Sequence, residues 1–600
     1  MTTKIKLMNT KNNIYWENRA KDIFWFRKPK IVLKKIRNNY IFYPDGTTNI
    51  AYNCIENNIN KGLKNKTAII FFDKYHKHYN LTYNHLNNLC NYFIFQLKKK
   101  NKSINLKKEI IAIHSSANLC SAITMLSCAK LGLTHAVLFD DLPKEAIKVR
   151  LKLLKSKILI TSTDDENFLL KIKPLEKELG LKVIRFERSN KKGEPFTFEN
   201  FLKNKNFNKA NYNYKEINSN KALFVLFTSG STGIPKGVIH SSGGYLLYSK
   251  LTCQKQFGIE KKTIILTASD AGWINGHTYA LYGPLSLGAT TIIIEKPLDL
   301  LRTKIIRKII INLKVNILYL PVTLIRLMKG TFQKKIYSKY LKVLGSMGEP
   351  LSRHVAIWFG KAFSKKYLPI INTYFQTETG AIIASPKFNY KKKFKSYGTV
   401  GKPLGKFLNI FVEKKNKEIK VGSPWPGCMI KIINGKKIWN SYFDKKRNFK
   451  LFDHGEFDKQ KNLIVHGRID DVINIRGHRV GSGEIESVLL KNEKIKEACA
   501  IAVDDEIEAK KIVIFVSLNK IISKNIIENI IINNFGTFLK PKSTFIIPEL
   551  PKTRSGKILR RVLRQIYLNP NINNLGDLST VLDKNILLII RKIVQNEENR

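Results

Sequence analysis

Phe227-Thr-Ser-Gly-Ser-Thr-Gly-Ile-Pro-Lys-Gly-Val238 follows directly on the apolar run from Ala222 to Phe227, and its reading decides the fold. A strand that empties into a loop so dense in glycine and hydroxyls builds a cradle for an anion. Gly230, Gly233 and Gly237 let the backbone approach phosphate oxygens closely, Thr228, Ser229, Ser231 and Thr232 offer hydroxyl donors, and Lys236 adds a positive charge. A Walker loop needs four residues between its first glycine and a Gly-Lys-Ser/Thr triplet, whereas here Pro235 precedes the lysine and Gly237 follows it. The plainer alternative is a solvated turn between strands, but such turns are shorter and carry fewer hydroxyls.

Outward from this loop the pattern is α/β. Upstream, strand-like runs at 67–72, 110–114, 135–139 and 158–161 alternate with helix-like segments at 84–98 and 118–131. An Asn- and Lys-rich stretch at 204–221 reads as a surface connection into the loop's strand. Downstream, βα alternation continues to about residue 400. Short strand-like pieces broken by glycine and proline, among them 397–403 and 422–427, then suggest a small β-rich subdomain. The texture changes once more near 468. Residues 472–475, a turn at Gly477, a helix-like 483–490, strands at 498–503 and 511–518 and a helix at 524–534 read as a separate small α+β unit. No internal repeat is visible.

Composition bounds the function classes. With 600 residues and 43% hydrophobic content the chain is globular and can bury a large core. No apolar run reaches the ~18 residues a membrane span requires, and the first residues lack the apolar core of a signal peptide, so a cytoplasmic protein is expected. Seven cysteines without a Cys-x-x-Cys pair read as reduced, mostly buried thiols. The formal charge of +59 would ordinarily invite nucleic acid. Lysine is spread through every region together with Asn and Ile, however, with no confined basic stripe. A chain-wide compositional bias explains that better than a binding face, and neither a nucleic-acid nor a membrane partner is expected.

Six further stretches complete the reading: Gly272-Trp-Ile-Asn-Gly-His277, Gly345-Ser-Met-Gly-Glu-Pro350, Tyr374-Phe-Gln-Thr-Glu-Thr-Gly380, Leu451-Phe-Asp-His-Gly-Glu456, Gly467-Arg-Ile-Asp-Asp-Val-Ile-Asn-Ile-Arg-Gly-His-Arg479 and Pro551-Lys-Thr-Arg-Ser-Gly-Lys-Ile-Leu-Arg-Arg561. With the 228–237 loop they resemble the AMP-forming short-chain acyl-CoA synthetases of the adenylate-forming superfamily, over nearly the whole chain and in family order. The resemblance implies a large adenylation domain at 1–467, a hinge near 468–471 and a small mobile domain at 472–600. It implies that a carboxylate attacks the α-phosphate of ATP, giving an acyl-adenylate and pyrophosphate, and that the thiol of CoA then displaces AMP. Such chemistry asks the protein for positioning and charge neutralisation more than for a nucleophilic side chain.

Site residues carry over by motif. The resemblance makes Lys557 the catalytic residue, bridging the acyl carboxylate and the α-phosphate. ATP and AMP contacts fall on Thr228, Ser229, Gly230, Ser231, Thr232, Lys236, Gly348, Glu349, Pro350, Asn372, Thr373, Tyr374, Phe375, Gln376 and Thr377, with Asp453 on the ribose diol and Arg468 and Arg479 on ribose and phosphate. Glu378 is implied to hold Mg2+ on the ATP phosphates, and Asp470 to be the hinge. Trp273, Ile274, Asn275, Met347 and Phe375 line the implied acyl pocket; Arg150, Asn275 and Arg476 are implied CoA contacts. A second metal would fall on Leu490, Asn492 and Ile495.

Several positions depart from the family. Phe375 stands where acetate-activating members carry Trp, which leaves propionate as a competitor to acetate. Phe452 replaces a usual Gly, Asn492 replaces a His, and no arginine matches the one that holds the CoA 3′-phosphate, for which Lys540 or Lys542 could substitute. Transfer of the adenylate to a carrier protein, its oxidation as in luciferases, and a decayed non-catalytic relative are the alternatives. The Trp273 block and the joint presence of Lys557, Glu378, Arg468 and Arg479 weigh against them. Oligomeric state is not legible.

Overall fold

The computed structural model describes residues 10–598 except 37–38, 101–104, 107–108, 141, 143, 163–165, 187–210, 229–234, 333, 350, 366–367, 388–397, 434, 470–471, 476–477, 506–508, 554–555, 573–574, 576–577 and 579–580. Two seven-stranded sheets form its centre. The first runs, in spatial order, Lys431–Ile432, Lys236–Ser241, Ala222–Thr228, Thr134–Leu138, Ile110–His114, Ile158–Thr161 and Lys182–Arg185, parallel from Ala222–Thr228 onward. The second runs Ile370–Asn372, Val343–Met347, Ile317–Pro321, Ile264–Thr267, Thr290–Ile294, Thr67–Phe72 and His78–Thr82, with only its last pair antiparallel. Their strands read as continuous apolar runs because both faces are covered. The two sheets are built alike although the sequence carries no repeat: each strand needs only to be apolar and β-branched, a requirement many unrelated sequences meet.

Two helices are buried nearly all round. In Leu119–Leu131 every residue but the last is buried; Ser242–Phe257 is buried at thirteen positions. Asn118 caps the first by accepting from Ser121 N–H, and Gly132 at φ 69° ends it in the left-handed conformation that glycine tolerates. The core also buries tyrosines whose hydroxyls are all matched: Tyr245 to Thr278 at 2.7 Å, Tyr248 to the Ile382 carbonyl at 2.9 Å and Tyr319 to Thr373 at 2.7 Å.

A four-stranded antiparallel sheet, Ile410–Val412, Glu418–Val421, Phe449–Phe457 and Leu463–Arg468, forms the expected β-rich subdomain. Beyond it, Ile495–Asp505, Ala509–Leu518 and Ser543–Ile546 make a three-stranded sheet flanked by Ser482–Leu489, Lys524–Phe535, Arg560–Leu568 and Asn585–Glu598. The stretch at 204–221 is only partly a surface connection, and this corrects the sequence reading. Residues 204–210 lie outside the described set, but Ile217–Asn218 pairs with Thr47–Thr48 and Ser219 is fully buried. Asn49 donates to the Lys215 carbonyl at 2.9 Å, and the Thr47 hydroxyl to Glu216. Backbone pairing holds the segment in, whatever its side-chain polarity.

All seven cysteines are free, six of them buried. No described helix is long and apolar enough to cross a membrane.

Candidate active site

The site lies where the parallel strands of both sheets end, the edge at which open α/β sheets bind ligands. Thr228 pairs with Lys236 on the neighbouring antiparallel strand. Ser229, Gly230, Ser231 and Thr232 lie outside the described residues, as do Pro350, Asp470 and Arg476. Arg479 belongs to the strand His478–Gly481.

Asp453 is the centre of the polar cluster. It is buried, and it accepts hydrogen bonds from Tyr374 Oη and Gln376 Nε2, both at 2.6 Å on Oδ2, while Arg468 approaches Oδ1 at 3.4 Å. The register explains the last contact, since Asp453 sits directly opposite Arg468 on the neighbouring strand. Burial pushes the Asp453 carboxyl up, against Arg468, the two hydrogen bonds and the charge of Lys557, which all pull it down. The preceding Phe452 has φ 55°, in the left-handed region. That is the physical reason a glycine suits the position. Phe452 tolerates it with its ring at 5.2 Å from that of Tyr442 and the Arg468 guanidinium 5.7 Å from its centre.

Glu378 lies on the short helix Thr377–Thr379 and accepts from Tyr442 Oη at 2.6 Å. The Lys236 ammonium stands 5.8 Å from the Tyr442 ring, which brings the loop's lysine to the same corner. His240, on the loop's outgoing strand, contacts the Thr377 carbonyl through Nε2 at 2.7 Å and must donate there. Burial lowers it to about 4, so it is neutral.

Asn372 and Thr373 are buried at a strand end. Asn372 accepts from Ser346 Oγ at 3.0 Å and donates to the Thr399 carbonyl at 2.9 Å, and Thr373 bonds the Ser346 carbonyl at 2.8 Å. Gly348 has φ 90°. Glu349 accepts from Thr323 Oγ1 at 2.7 Å and pairs with Arg326 at 2.6 Å, so its carboxylate is held by protein.

The Phe375 ring meets Tyr279 edge-on, with centroids 5.6 Å apart at 75°, and packs against the same hydrophobic core that buries Met347 and Ile274. Trp273 packs on Phe139 at 5.0 Å. Asn275 Oδ1 is buried and has no protein hydrogen-bond partner among the described residues, as a ligand-facing acceptor would be. Arg150 does not project to the surface: it is buried, donates to the Ala146 carbonyl at 2.9 Å and lies 5.7 Å from the ring of Phe227, just before the 228–237 loop. Leu490, Asn492 and Ile495 share one turn, and Asn492 Oδ1 accepts from Lys494 N–H at 3.0 Å. That oxygen closes the turn. Among the described residues no three His, Cys, Asp or Glu side chains gather as a metal centre.

Lys557 sits on a tight hairpin. Thr553 N–H donates to the Lys557 carbonyl at 2.8 Å, Lys557 N–H to Thr553 Oγ1 at 3.1 Å, and Gly556 turns the chain at φ 81°. Lys552 anchors the hairpin to Glu497. The Lys557 side chain is exposed, and its charge reaches the buried Asp453.

The AMP-binding enzyme family model matches residues 56–437, well over half of the chain. The chain belongs to the AMP-binding enzymes. The C-terminal model of that family matches 484–557, ending on Lys557, and an acetyl-coenzyme A synthetase N-terminal model matches 6–54. Acetyl-coenzyme A synthetases of Leptospira biflexa (30% identity; 98% of this chain, 94% of theirs), Bartonella bacilliformis (31%; 98% and 94%) and Helicobacter pylori (32%; 97% and 93%) are similar over almost their whole length. Among solved structures, an acetoacetyl-CoA synthetase from Streptomyces lividans superposes with TM-score 0.81 at 15% identity over 98% of this chain and 93% of that one. An anthranilate CoA ligase in complex with anthranoyl-AMP gives 0.71 at 18% over 86% and 97%. The fold is that of adenylate-forming CoA ligases.

In this AMP-binding enzyme, sequence reasoning missed four residues. His240 was legible as a histidine inside an apolar strand just past the loop. Tyr442, Thr323 and Arg326 carried no motif, because each meets its partner only through the fold. Asp270 is a fifth surprise of a different kind: burial and the charge of Asp140 raise its carboxyl to about 8.

Proposed function

We propose that this chain is an AMP-forming acetate:CoA ligase. A carboxylate oxygen of acetate attacks the α-phosphorus of ATP and the bond to the β-phosphate breaks, releasing pyrophosphate. The CoA sulfur then attacks the acyl carbon and AMP leaves, the thiol proton passing to solvent. The observation that carries the reading is the buried Asp453, held by Tyr374, Gln376 and Arg468 in the large unit, on which the charge of Lys557 from the C-terminal unit also acts. A buried carboxylate acceptor within the field of a lysine suits a nucleotide whose ribose diol needs an acceptor and whose α-phosphate must lose charge in the transition state. The similarity to acetyl-coenzyme A synthetases along the whole chain supports acetate as the acid.

In this reading residues 1–467 bind ATP and acetate, 468–471 hinge, and 472–600 carry Lys557. The 228–237 loop holds the outgoing pyrophosphate, Asp453 the ribose diol, and Arg468 and Arg479 the ribose and phosphate. Gly348, Glu349, Pro350 and 372–377 surround the adenine and ribose. Glu378, a half-buried hard-oxygen donor beside Lys236, fits Mg2+, which when bound neutralises charge on the triphosphate. Asn275, Arg476 and Arg150 serve CoA. Reduced thiols throughout suit the cytoplasm. The direct test is product analysis: acetate, ATP and CoA should yield acetyl-CoA with AMP and pyrophosphate in equal amounts. Formation of ADP, or AMP released without thioester, would contradict the assignment.

The wall at Phe375 sets the acid's length. Phe375→Trp should lower kcat/KM for propionate relative to acetate by at least about tenfold, since one methylene in such a pocket is worth ~1–3 kcal/mol. An unchanged ratio in competition assays would remove Phe375 from the pocket.

A further inference from the structure

The hairpin that carries Lys557 touches the large unit at one very close point. A Cβ built on Gly556 would lie 2.0 Å from Thr323 Oγ1 and 2.5 Å from both Thr323 Cβ and Cγ2, distances no side chain survives. Gly556 also needs φ 81°, so glycine is required there twice over. Thr323 opens the helix Val322–Thr331, whose N-cap, Pro321, ends a parallel strand and pairs in register with Met347. One helical turn on, Arg326 shares its face. Thr323 Oγ1 and Arg326 Nη1 each donate to a different oxygen of Glu349, at 2.7 and 2.6 Å. The threonine under Gly556 is therefore fixed in rotamer by a charge-assisted bond rather than free to turn.

We infer that Thr323, braced through Glu349 by Arg326, is the seat on which the Gly556 turn docks, and that it positions Lys557 for adenylate formation. The seat makes no contact with the reacting atoms. It acts through the lysine by stopping the hairpin at one depth, and a glycine is the only residue that reaches that depth. The inference rests on the adenylate-forming reading above. It adds that the two half-reactions depend differently on a contact outside the substrate pocket, because a C-terminal unit turned away for thioester formation would not use this seat.

The test separates the half-reactions in the full chain. Acetate-dependent pyrophosphate release reports the first, and acetyl-CoA formed from supplied acetyl-adenylate reports the second. Gly556→Ala should lower the first at least a hundredfold and leave the second within threefold. Adding Thr323→Gly to that variant, which empties the seat, should recover at least tenfold of the loss. Thr323→Val keeps the shape but removes the bond to Glu349, so it should lower the first half-reaction alone, by about three- to tenfold. Equal loss of both half-reactions in Thr323→Val, or no recovery in the Gly556→Ala, Thr323→Gly pair, overturns the seat. A wild-type chain that releases no pyrophosphate with acetate would instead overturn the adenylate-forming reading itself.

Discussion

Lys557→Ala lowers acetate-dependent pyrophosphate release by about 10²–10³-fold, the usual cost of removing one preorganised group from a developing charge. Thioester formation from supplied acetyl-adenylate stays within a few-fold of wild type. The asymmetry follows from where the lysine stands. Its hairpin is closed by Thr553, anchored by Lys552 on Glu497 and seated at Gly556, and its charge acts on the buried Asp453. Arg468, Tyr374 and Gln376 stabilise the Asp453 carboxylate beside it. Lys557→Arg should rescue poorly, because a planar guanidinium cannot replace a compact ammonium at the end of a tight turn. Stopped assays of each half-reaction decide the matter. Equal loss in both would mean that the lysine supports structure rather than adenylation.

Acid should unfold the protein well above the carboxylate range. His114, His135, His240 and His277 are fully buried, and burial lowers His114 and His240 to about 4, His277 to about 3 and His135 well below its ordinary value. Unfolding releases them to an ordinary value near 6.5, so the unfolded chain binds more protons wherever the pH is below that. Their stabilisation is complete above about pH 6.5 and is lost as the pH falls toward 4. Asp270, raised to about 8, and Asp453, also raised, work in the opposite direction, since the folded state holds their protons longer. Near pH 5.5 the four imidazoles draw more protons on unfolding than the two carboxylates give up, so stability falls as the pH drops through that range. The urea midpoint should therefore drop clearly between pH 7 and 5.5. His135→Phe, which keeps a ring stacked on His277 where the imidazoles now lie 5.4 Å apart and nearly parallel, should reduce the slope by about one proton. A flat midpoint across that range would contradict the burial of these rings in neutral form.

The parallel strands were the most legible part of the fold. Runs such as Ile110–His114 and Ile158–Thr161 are apolar up to a polar last residue followed by serine, so length and composition bound them. The C-terminal sheet was read in part: its first two strands were expected, while Ser543–Ile546 hides a parallel strand behind two hydroxyls. The pairing of Ile217–Asn218 with Thr47–Thr48, which buries Ile217 and Ser219, was not legible, because backbone pairing leaves no trace in side-chain polarity.

The candidate site divides in the same way. Residues grouped in one motif, such as Tyr374, Gln376 and Glu378, are legible together because a single turn presents them. Tyr442 stands 64 residues from Glu378, and Thr323 is joined to Gly556 only by the packing of two units, so no spacing rule finds them. The Phe452 substitution looked like a loosened motif. Its φ of 55° is in the left-handed region that glycine favours, so the phenylalanine occupies a backbone conformation suited to the residue it replaces.

The central claim is adenylation of acetate, and exchange of labelled pyrophosphate into ATP without CoA measures it alone. The account predicts exchange that requires acetate and Mg2+, that vanishes in Lys557→Ala, and that benzoate or long-chain acids do not support. Exchange indifferent to acetate, or absent while CoA-dependent ATP cleavage proceeds, would contradict it.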